Sequence, residues 1–179
     1  MQTAPGNDVV RPAALDQAPV RNTWKSVSSC LEHDHRVLDE LVKNVDAFVQ
    51  ERDFENAAEF LKPFRARLET HIEAEETILF PLFELKTGCN GPTSVMRREH
   101  RDILRVMGAL SVALAGCATV TDPQSLLAEL RLALDSHNEK EERVLYPAID
   151  GTATASGELD ELVASVEAFL TRPAASSHA

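Results

Sequence analysis

The segment HIEAEETILFP at residues 71–81 returns as HNEKEERVLYP at 137–147. Each copy carries a His and a Glu four positions apart, His71 with Glu75 and His137 with Glu141, which places both side chains on one face of a helix. Each copy also follows a lone His in an HR-x-[LI] setting, His35 and His100. The register is close: His35 and His100 are 65 positions apart, while His71 and His137, Glu75 and Glu141, and Pro81 and Pro147 are each 66 apart. Imidazole nitrogens and carboxylate oxygens are ligand atoms for first-row metals. Four His and two Glu duplicated in register therefore point to a two-metal site built by two halves.

Such ligands need helices to carry them, and the apolar residues recur at helical spacing through most of the chain. The first helix is expected from Asn22 or Thr23 to Arg52, with Leu31, Leu38, Val42, Val45 and Val49 on its inner stripe. A second starts near Asp53, a good N-cap, and continues to Leu85, with Pro63 expected to kink or split it. A third starts at Thr93 or Ser94 and stops by Gly116. A fourth opens with Asp122-Pro123 and runs to Ile149, before the GTATASG stretch at 151–157. A short fifth helix, Ser156 to Thr171, is amphipathic and packs outside the others. No strand signal competes. The expected fold is all-α, an antiparallel up-down four-helix bundle with a short additional C-terminal helix over 23–171, flanked by a disordered tail at 1–22 and a flexible end at 172–179 that holds His178.

All six candidates fall on apolar faces. His35 lies on the stripe Leu31, His35, Leu38, Val42, and His71 and Glu75 continue from Leu68 toward Ile78 and Leu82. His100 follows Met96 and precedes Ile103, while His137 and Glu141 sit between Leu134 and Leu145. Buried carboxylates and imidazoles are costly unless paired or bound to cations, so this pattern favours a metal centre over a hydrogen-bonded His–Glu network. The flanking Glu73, Glu76, Glu139 and Glu142 read as solvated helix faces. His33, about 200° around the helix from His35, reads as a surface or rim residue. A thiolate-free set of nitrogen and carboxylate ligands favours iron, manganese or zinc, and its size favours iron, since zinc is satisfied by fewer ligands.

The chain has 179 residues, enough for one domain with its own core. No apolar run is long enough to cross a bilayer and no signal-peptide pattern opens the chain, so a soluble protein is expected. Asp and Glu number 29 against 18 Lys and Arg, a formal charge of −11 that argues against nucleic acid and anionic membrane as partners. Three scattered cysteines, Cys30, Cys89 and Cys117, suit neither a disulfide framework nor a zinc knuckle, which fits a reducing cytoplasm. They read as ordinary unpaired thiols, with Cys89 and Cys117 near turns the candidates for reactivity.

The EHDHRVLDEL stretch with His35, the H-x-x-x-E-E-x-x-L-F/Y-P motif at His71 and again at His137, and the EHRDIL stretch with His100 resemble bacterial hemerythrin-like (HHE cation-binding) domains over roughly 24–149. The resemblance implies a four-helix bundle enclosing a non-haem di-iron centre of two oxo-bridged ions. His35, His71 and Glu75 would serve one half-site, and His100, His137 and Glu141 the other, with Glu75 and Glu141 bridging. Oxygen-carrying hemerythrins have a further His one turn beyond the third-helix His, where this chain has Leu104. They also use Asp five residues after the fourth-helix His, where this chain offers Glu141 at four and Glu142 at five. The set is similar to the four-His, two-Glu variety of the bacterial iron–sulfur-repair and stress-response proteins, whose Cys-containing N-terminal domain has no counterpart in residues 1–22.

The expected function is a di-iron protein that binds or reduces a small oxidant, O2, NO or peroxide, in stress response or redox defence. Leu38, Val42, Ile103, Leu104 and Met107 are the candidates for lining its pocket. The alternative is an iron or oxygen sensor that signals to a protein partner through metal-dependent conformational change. Ferritin-like oxidase chemistry fits less well, because those bundles use Glu-x-x-His with lone Glu ligands.

Overall fold

A computed structural model describes residues 24–116 and 122–172. The expected tail at 1–22, Cys117 and the end of the chain from 173, His178 included, lie outside the described residues. Helix α1 spans Val27–Gln50. Helix α2 runs Phe54–Ala74, passes through a π-helical turn at Glu75–Leu79 and continues as Phe80–Thr87. Helix α3 spans Gly91–Leu114. Helix α4 runs Pro123–Lys140, has its own π turn at Glu141–Leu145 and continues as Tyr146–Ser156. Helix α5 spans Leu159–Leu170. Among the described residues there is no strand.

Local chemistry sets the ends. The Ser26 hydroxyl accepts from the Ser29 N–H, and Asp150, far along the chain, accepts from the Val27 and Ser28 N–H groups at 2.7 and 3.2 Å. A carboxylate thus satisfies orphan donors at the positive end of α1 and ties that end to α4. Asp122 caps α4 by accepting from Gln124 and Ser125, with Pro123 in the first turn. Gly88 and Gly157, at φ 66° and 73°, supply the left-handed residues that end α2 and α4.

Several expectations change: α3 starts at Gly91, ahead of Thr93 or Ser94, and α5 starts at Leu159, since Ser156 belongs to the end of α4. α1 starts later than Asn22 or Thr23, at Val27, because Ser26 is the cap that the backbone uses. Pro63 does not split α2, whose run Phe54–Ala74 is unbroken. Pro63 and Glu59 are both exposed, so water can satisfy the carbonyl that the missing N–H leaves free. α4 does not stop at Ile149 but continues through the Gly- and Thr-rich stretch to Ser156. There Thr152 and Thr154 donate to carbonyls one turn back, at 2.7 Å each, and Ile149 and Ala153 keep the buried face going.

Helix α1 packs on α2, α3 on α4, and the α2–α3 and α1–α4 contacts close the ring of four. The core comes in two blocks. One holds Leu38, Val42, Leu61, Phe64, Ile103, Met107, Leu110 and Leu130 at the end where α1 meets α2 by a short loop. The other holds Val27, Leu31, Leu79, Phe80, Met96, Leu145, Tyr146 and Ile149 at the opposite end. Helix α5 lies outside the four, against α1, α2 and the end of α4. It buries Leu162, Val163, Val166 and Leu170 in the second block, each contributing roughly 1.5–3 kcal/mol of transfer free energy. It therefore seals the bundle end.

Candidate metal centre

Between the two apolar blocks lies one polar layer. On α1 it falls between Leu31 and Leu38, on α3 between Met96 and Ile103, and on α4 between Leu134 and Leu145. It contains His35, His71, Glu75, His100, His137 and Glu141, all at most 4% exposed. All six expected site residues are thus brought to one level of the bundle.

The two π turns help to put them there. Each begins at the candidate Glu, where the Phe80 N–H bonds to the Glu75 carbonyl and the Tyr146 N–H to the Glu141 carbonyl, five residues back. Pro81 and Pro147 follow, and in a regular α-helix each ring would collide with the carbonyl four residues earlier while offering no N–H to it. The wider turn accommodates the proline, and such turns recur at functional sites. The duplicated Pro of the motif is therefore tied to the duplicated Glu.

The imidazoles pair across the layer, with His35 Nε2 at 3.2 Å from His71 Nε2 and His100 Nε2 at 3.1 Å from His137 Nε2. Both carboxylates reach both pairs. Glu75 Oε2 is 3.7 Å from His71 Nε2 and 3.2 Å from His100 Nε2. Glu141 Oε2 is 3.5 Å from His35 Nε2, and Glu141 Oε1 is 3.1 Å from His137 Nε2. Candidate ligand atoms lie within 4.8 Å of one another in two overlapping groups, Glu75, His100, His137 and Glu141, and His35, His71 and Glu141.

The outward-facing nitrogens explain the pairing. His35 Nδ1–H donates to Glu142 Oε1, His71 Nδ1–H to Asp34 Oδ2 and His100 Nδ1–H to Glu76 Oε1, each at 2.8 Å. His137 Nδ1–H donates to Glu99 Oε2 at 3.1 Å. A carboxylate on Nδ1–H fixes the tautomer and turns the Nε2 lone pair inward. Two lone pairs facing each other at about 3 Å repel unless a cation or a proton lies between them. Glu75 Oε2 and Glu141 Oε1 are buried and accept no hydrogen bond among the described residues, which is costly without a positive partner. Inward lone pairs, orphaned carboxylate oxygens and no thiolate are a donor set that suits metal ions.

The titrating groups respond to the same crowding. Burial lowers the basicity of His35, but the Glu141, Glu142 and Glu75 carboxylates outweigh it and push its pKa up to about 9. Burial likewise opposes protonation of His100, yet Glu141 and Glu75 push it up to about 10. His137 is raised in the same way, with Glu141 the chief opponent of burial. Burial would raise Glu141, but the imidazoles of His100, His137 and His35 hold it well below the usual carboxylate range. The layer attracts positive charge.

The other residues singled out in the sequence have mixed surroundings. His33 is exposed and lies against Trp24, with ring centroids 5.0 Å apart. Leu38, Val42, Ile103 and Met107 are buried in the apolar block beside the layer, and Leu104 is partly buried against it. Glu73 and Glu139 are solvated, as expected. Glu76 and Glu142 are not simply solvated faces: although partly exposed, each turns its carboxylate onto an imidazole of the other half. The sequence carried a signal for them, since Asp34 and Glu99 repeat at 65 positions and Glu76 and Glu142 at 66, the offsets of the six. Tyr146 had no such signal, because its twin position holds Phe80. Its hydroxyl is buried among the candidate ligands, donating to Glu75 Oε1 at 2.6 Å.

No helix among the described residues is long and apolar enough to cross a membrane. Residues 26–149 match the family described as hemerythrin HHE cation binding domain. The chain is similar to the iron-sulfur cluster repair protein YtfE of Edwardsiella ictaluri (strain 93-146), with 36% identity over 99 residues, covering 50% of this chain and 45% of that protein. The chain thus spans less than half the length of this curated relative. No solved structure gives a significant match. With a helical bundle, an internal His–Glu layer and a family match across most of the folded part, the chain belongs to the hemerythrin HHE cation-binding domain family.

Proposed function

We propose that His35, His71, Glu75, His100, His137 and Glu141 would hold two iron ions, and that the centre binds or reduces a small oxidant such as O2, NO or peroxide in nitrosative or oxidative stress defence. The observation that carries this reading is the convergence of four inward Nε2 atoms and two orphaned carboxylate oxygens in a layer closed by apolar residues on both sides. Six nitrogen and oxygen donors exceed what one tetrahedral zinc ion uses, and two carboxylates that each reach both His pairs suit a pair of ions.

Iron would supply the electron transfer and ligand binding that no side chain here provides. The residues supply the rest. Asp34, Glu76, Glu99 and Glu142 hold a proton on Nδ1 of their imidazoles, so that Nε2 stays free. The apolar blocks exclude bulk water, which strengthens charge interactions within the layer and admits small uncharged molecules more readily than ions. The similarity to an iron-sulfur cluster repair protein supports a role in stress repair. Free Cys30 and Cys89 support a reducing, cytoplasmic setting.

Anaerobic loading with Fe(II), metal analysis, and optical spectra on adding O2, NO and peroxide in turn test this reading. Two irons per chain and a spectral response to at least one oxidant are expected. Retention of no iron after loading would overturn it. The double variant His71→Ala/His137→Ala, which removes one imidazole from each pair, is expected to lose metal while the far-UV circular dichroism stays helical.

A further inference from the structure

The repeat predicts two equal halves, yet the layer is lopsided, and one hydroxyl accounts for it. Tyr146 is fully buried, and its Oη lies 3.3 Å from His35 Nε2 and 3.4 Å from His71 Nε2. It donates to Glu75 Oε1 at 2.6 Å and lies 3.0 Å from Glu141 Oε2. The twin position is Phe80, which has no hydroxyl and stacks on His100 with centroids 5.7 Å apart. Each glutamate therefore has one oxygen engaged beside the His35–His71 pair. The oxygen left without a hydrogen bond on each, Glu75 Oε2 and Glu141 Oε1, makes its nearest imidazole contact at the opposite pair, 3.2 Å from His100 Nε2 and 3.1 Å from His137 Nε2. Four candidate ligands converge at His100 and His137, whereas three converge at His35 and His71.

We infer that Tyr146 is a positioning residue that makes the two metal positions unequal: the position at His100, His137, Glu75 and Glu141 fills first and tightly, and the position at His35 and His71 fills second and weakly. The inference rests on the two-ion reading above. At the first position both free carboxylate oxygens already face the imidazole pair, so a cation meets a prepared set of donors. At the second, a cation must take Glu75 Oε1 or Glu141 Oε2 away from the Tyr146 hydroxyl, or use the phenol oxygen itself. Breaking a hydrogen bond to a buried carboxylate separates the two affinities by roughly ten- to a hundredfold. Tyr146→Phe removes the competitor, leaves Phe at both twin positions and brings the affinities together.

Titration of the metal-free protein with Co(II) under argon, followed by absorption and by calorimetry, tests this. The unsubstituted chain is expected to take up two ions in two steps at least tenfold apart, while Tyr146→Phe takes up two in steps that merge. A second comparison needs no change at Tyr146: His137→Ala is expected to lose the tight step and His71→Ala the weak one. Two ions bound in one step by the unsubstituted chain, steps that stay separate in Tyr146→Phe, or the reverse assignment in the His variants would overturn the role of Tyr146. Uptake of fewer than two ions by the unsubstituted chain would instead overturn the two-ion reading, and the inference with it.

Discussion

Asp34 and Glu99 are twins in the repeat, and each accepts from the Nδ1–H of an imidazole in its own half. Their surroundings differ, and the difference gives a prediction with an internal control. Asp34 is 1% exposed and also accepts from the Arg67 guanidinium, through Nε at 2.6 Å and through a second, shorter contact from Nη2. The Glu99 side chain is 22% exposed and shares its charge with Lys140, whose Nζ lies 2.7 Å away at the surface. In Asp34→Asn the amide oxygen can still accept from His71, but the amide NH2 then faces Arg67 and the charge is gone. Loss of a charge-assisted pair at a buried site costs roughly 3–5 kcal/mol when a partner is stranded, and 1.5–3 kcal/mol for the hydrogen bond alone. The Arg67 side chain is 30% exposed, so solvent recovers part of its charge energy and the lower figure, about 2–3 kcal/mol, applies. In Glu99→Gln the surface pair with Lys140 is worth only about 0–1 kcal/mol.

The measurement is thermal unfolding of the metal-free proteins by far-UV circular dichroism. For a chain of this size about 2–4 °C accompanies each kcal/mol, so Asp34→Asn is expected to melt on the order of 5–10 °C below the parent and Glu99→Gln within a few degrees of it. Metal affinity behaves otherwise. Both variants lose the carboxylate that orients an imidazole of the layer, and on the proposed two-ion reading both are expected to bind metal about 10- to 100-fold more weakly. Equal melting temperatures for the two variants would refute the burial reasoning. Unchanged metal affinity in both would refute the role assigned to the outer carboxylates.

Three further outcomes are expected. Burial, with Asp34 and Glu167 nearby, pushes the Cys30 thiol up to about 12, so at pH 8 an alkylating reagent should label exposed Cys89 in the native protein and Cys30 only after unfolding, as peptide mass spectrometry would show. Leu162 lies in the apolar block that α5 seals, so Leu162→Ala should destabilise by about 2–4 kcal/mol in urea unfolding, whereas Leu132→Ala, at a position 72% exposed, should change stability by less than about 0.5 kcal/mol. The surrounding carboxylates push His35 up to about 9 and His100 up to about 10, so on the proposed two-ion reading metal uptake at pH 7 displaces protons from these imidazoles. Loading in weak buffer should therefore release protons, and affinity should rise with pH up to that range, as a pH indicator and titrations at several pH values would reveal.

What could be read from residue types alone was what repeats and what has a period. His35, His71, Glu75, His100, His137 and Glu141 stand out because duplication and the helical period select the same positions, and apolar neighbours on the same stripe show that they face inward. Helix ends were harder. The GTATASG stretch looks like a break by composition, but a Thr hydroxyl can return a hydrogen bond to the turn before it, and the buried face of Ile149 and Ala153 holds α4 together until Gly157. The π turns were not legible either, although their cause was in view: a Pro six residues after a Glu that must face the core leaves the helix to widen or to turn the Glu away.

The outer carboxylates and Tyr146 mark the limit of reasoning about one helix at a time. Glu76 and Glu142 lie next to the candidate glutamates in sequence and point away from the bundle axis of their own helix, so periodicity places them in solvent. Their partners are imidazoles on neighbouring helices, His100 on α3 and His35 on α1, and only the packing of one half against the other brings them within 2.8 Å. The crossing has a physical consequence. Glu76 of the first half orients an imidazole of the second, and Glu142 of the second orients one of the first, so neither half presents a complete set of inward lone pairs by itself. The centre belongs to the assembled bundle, and a fragment carrying α1 and α2 alone would hold His71 oriented by Asp34 but leave His35 free to take either tautomer.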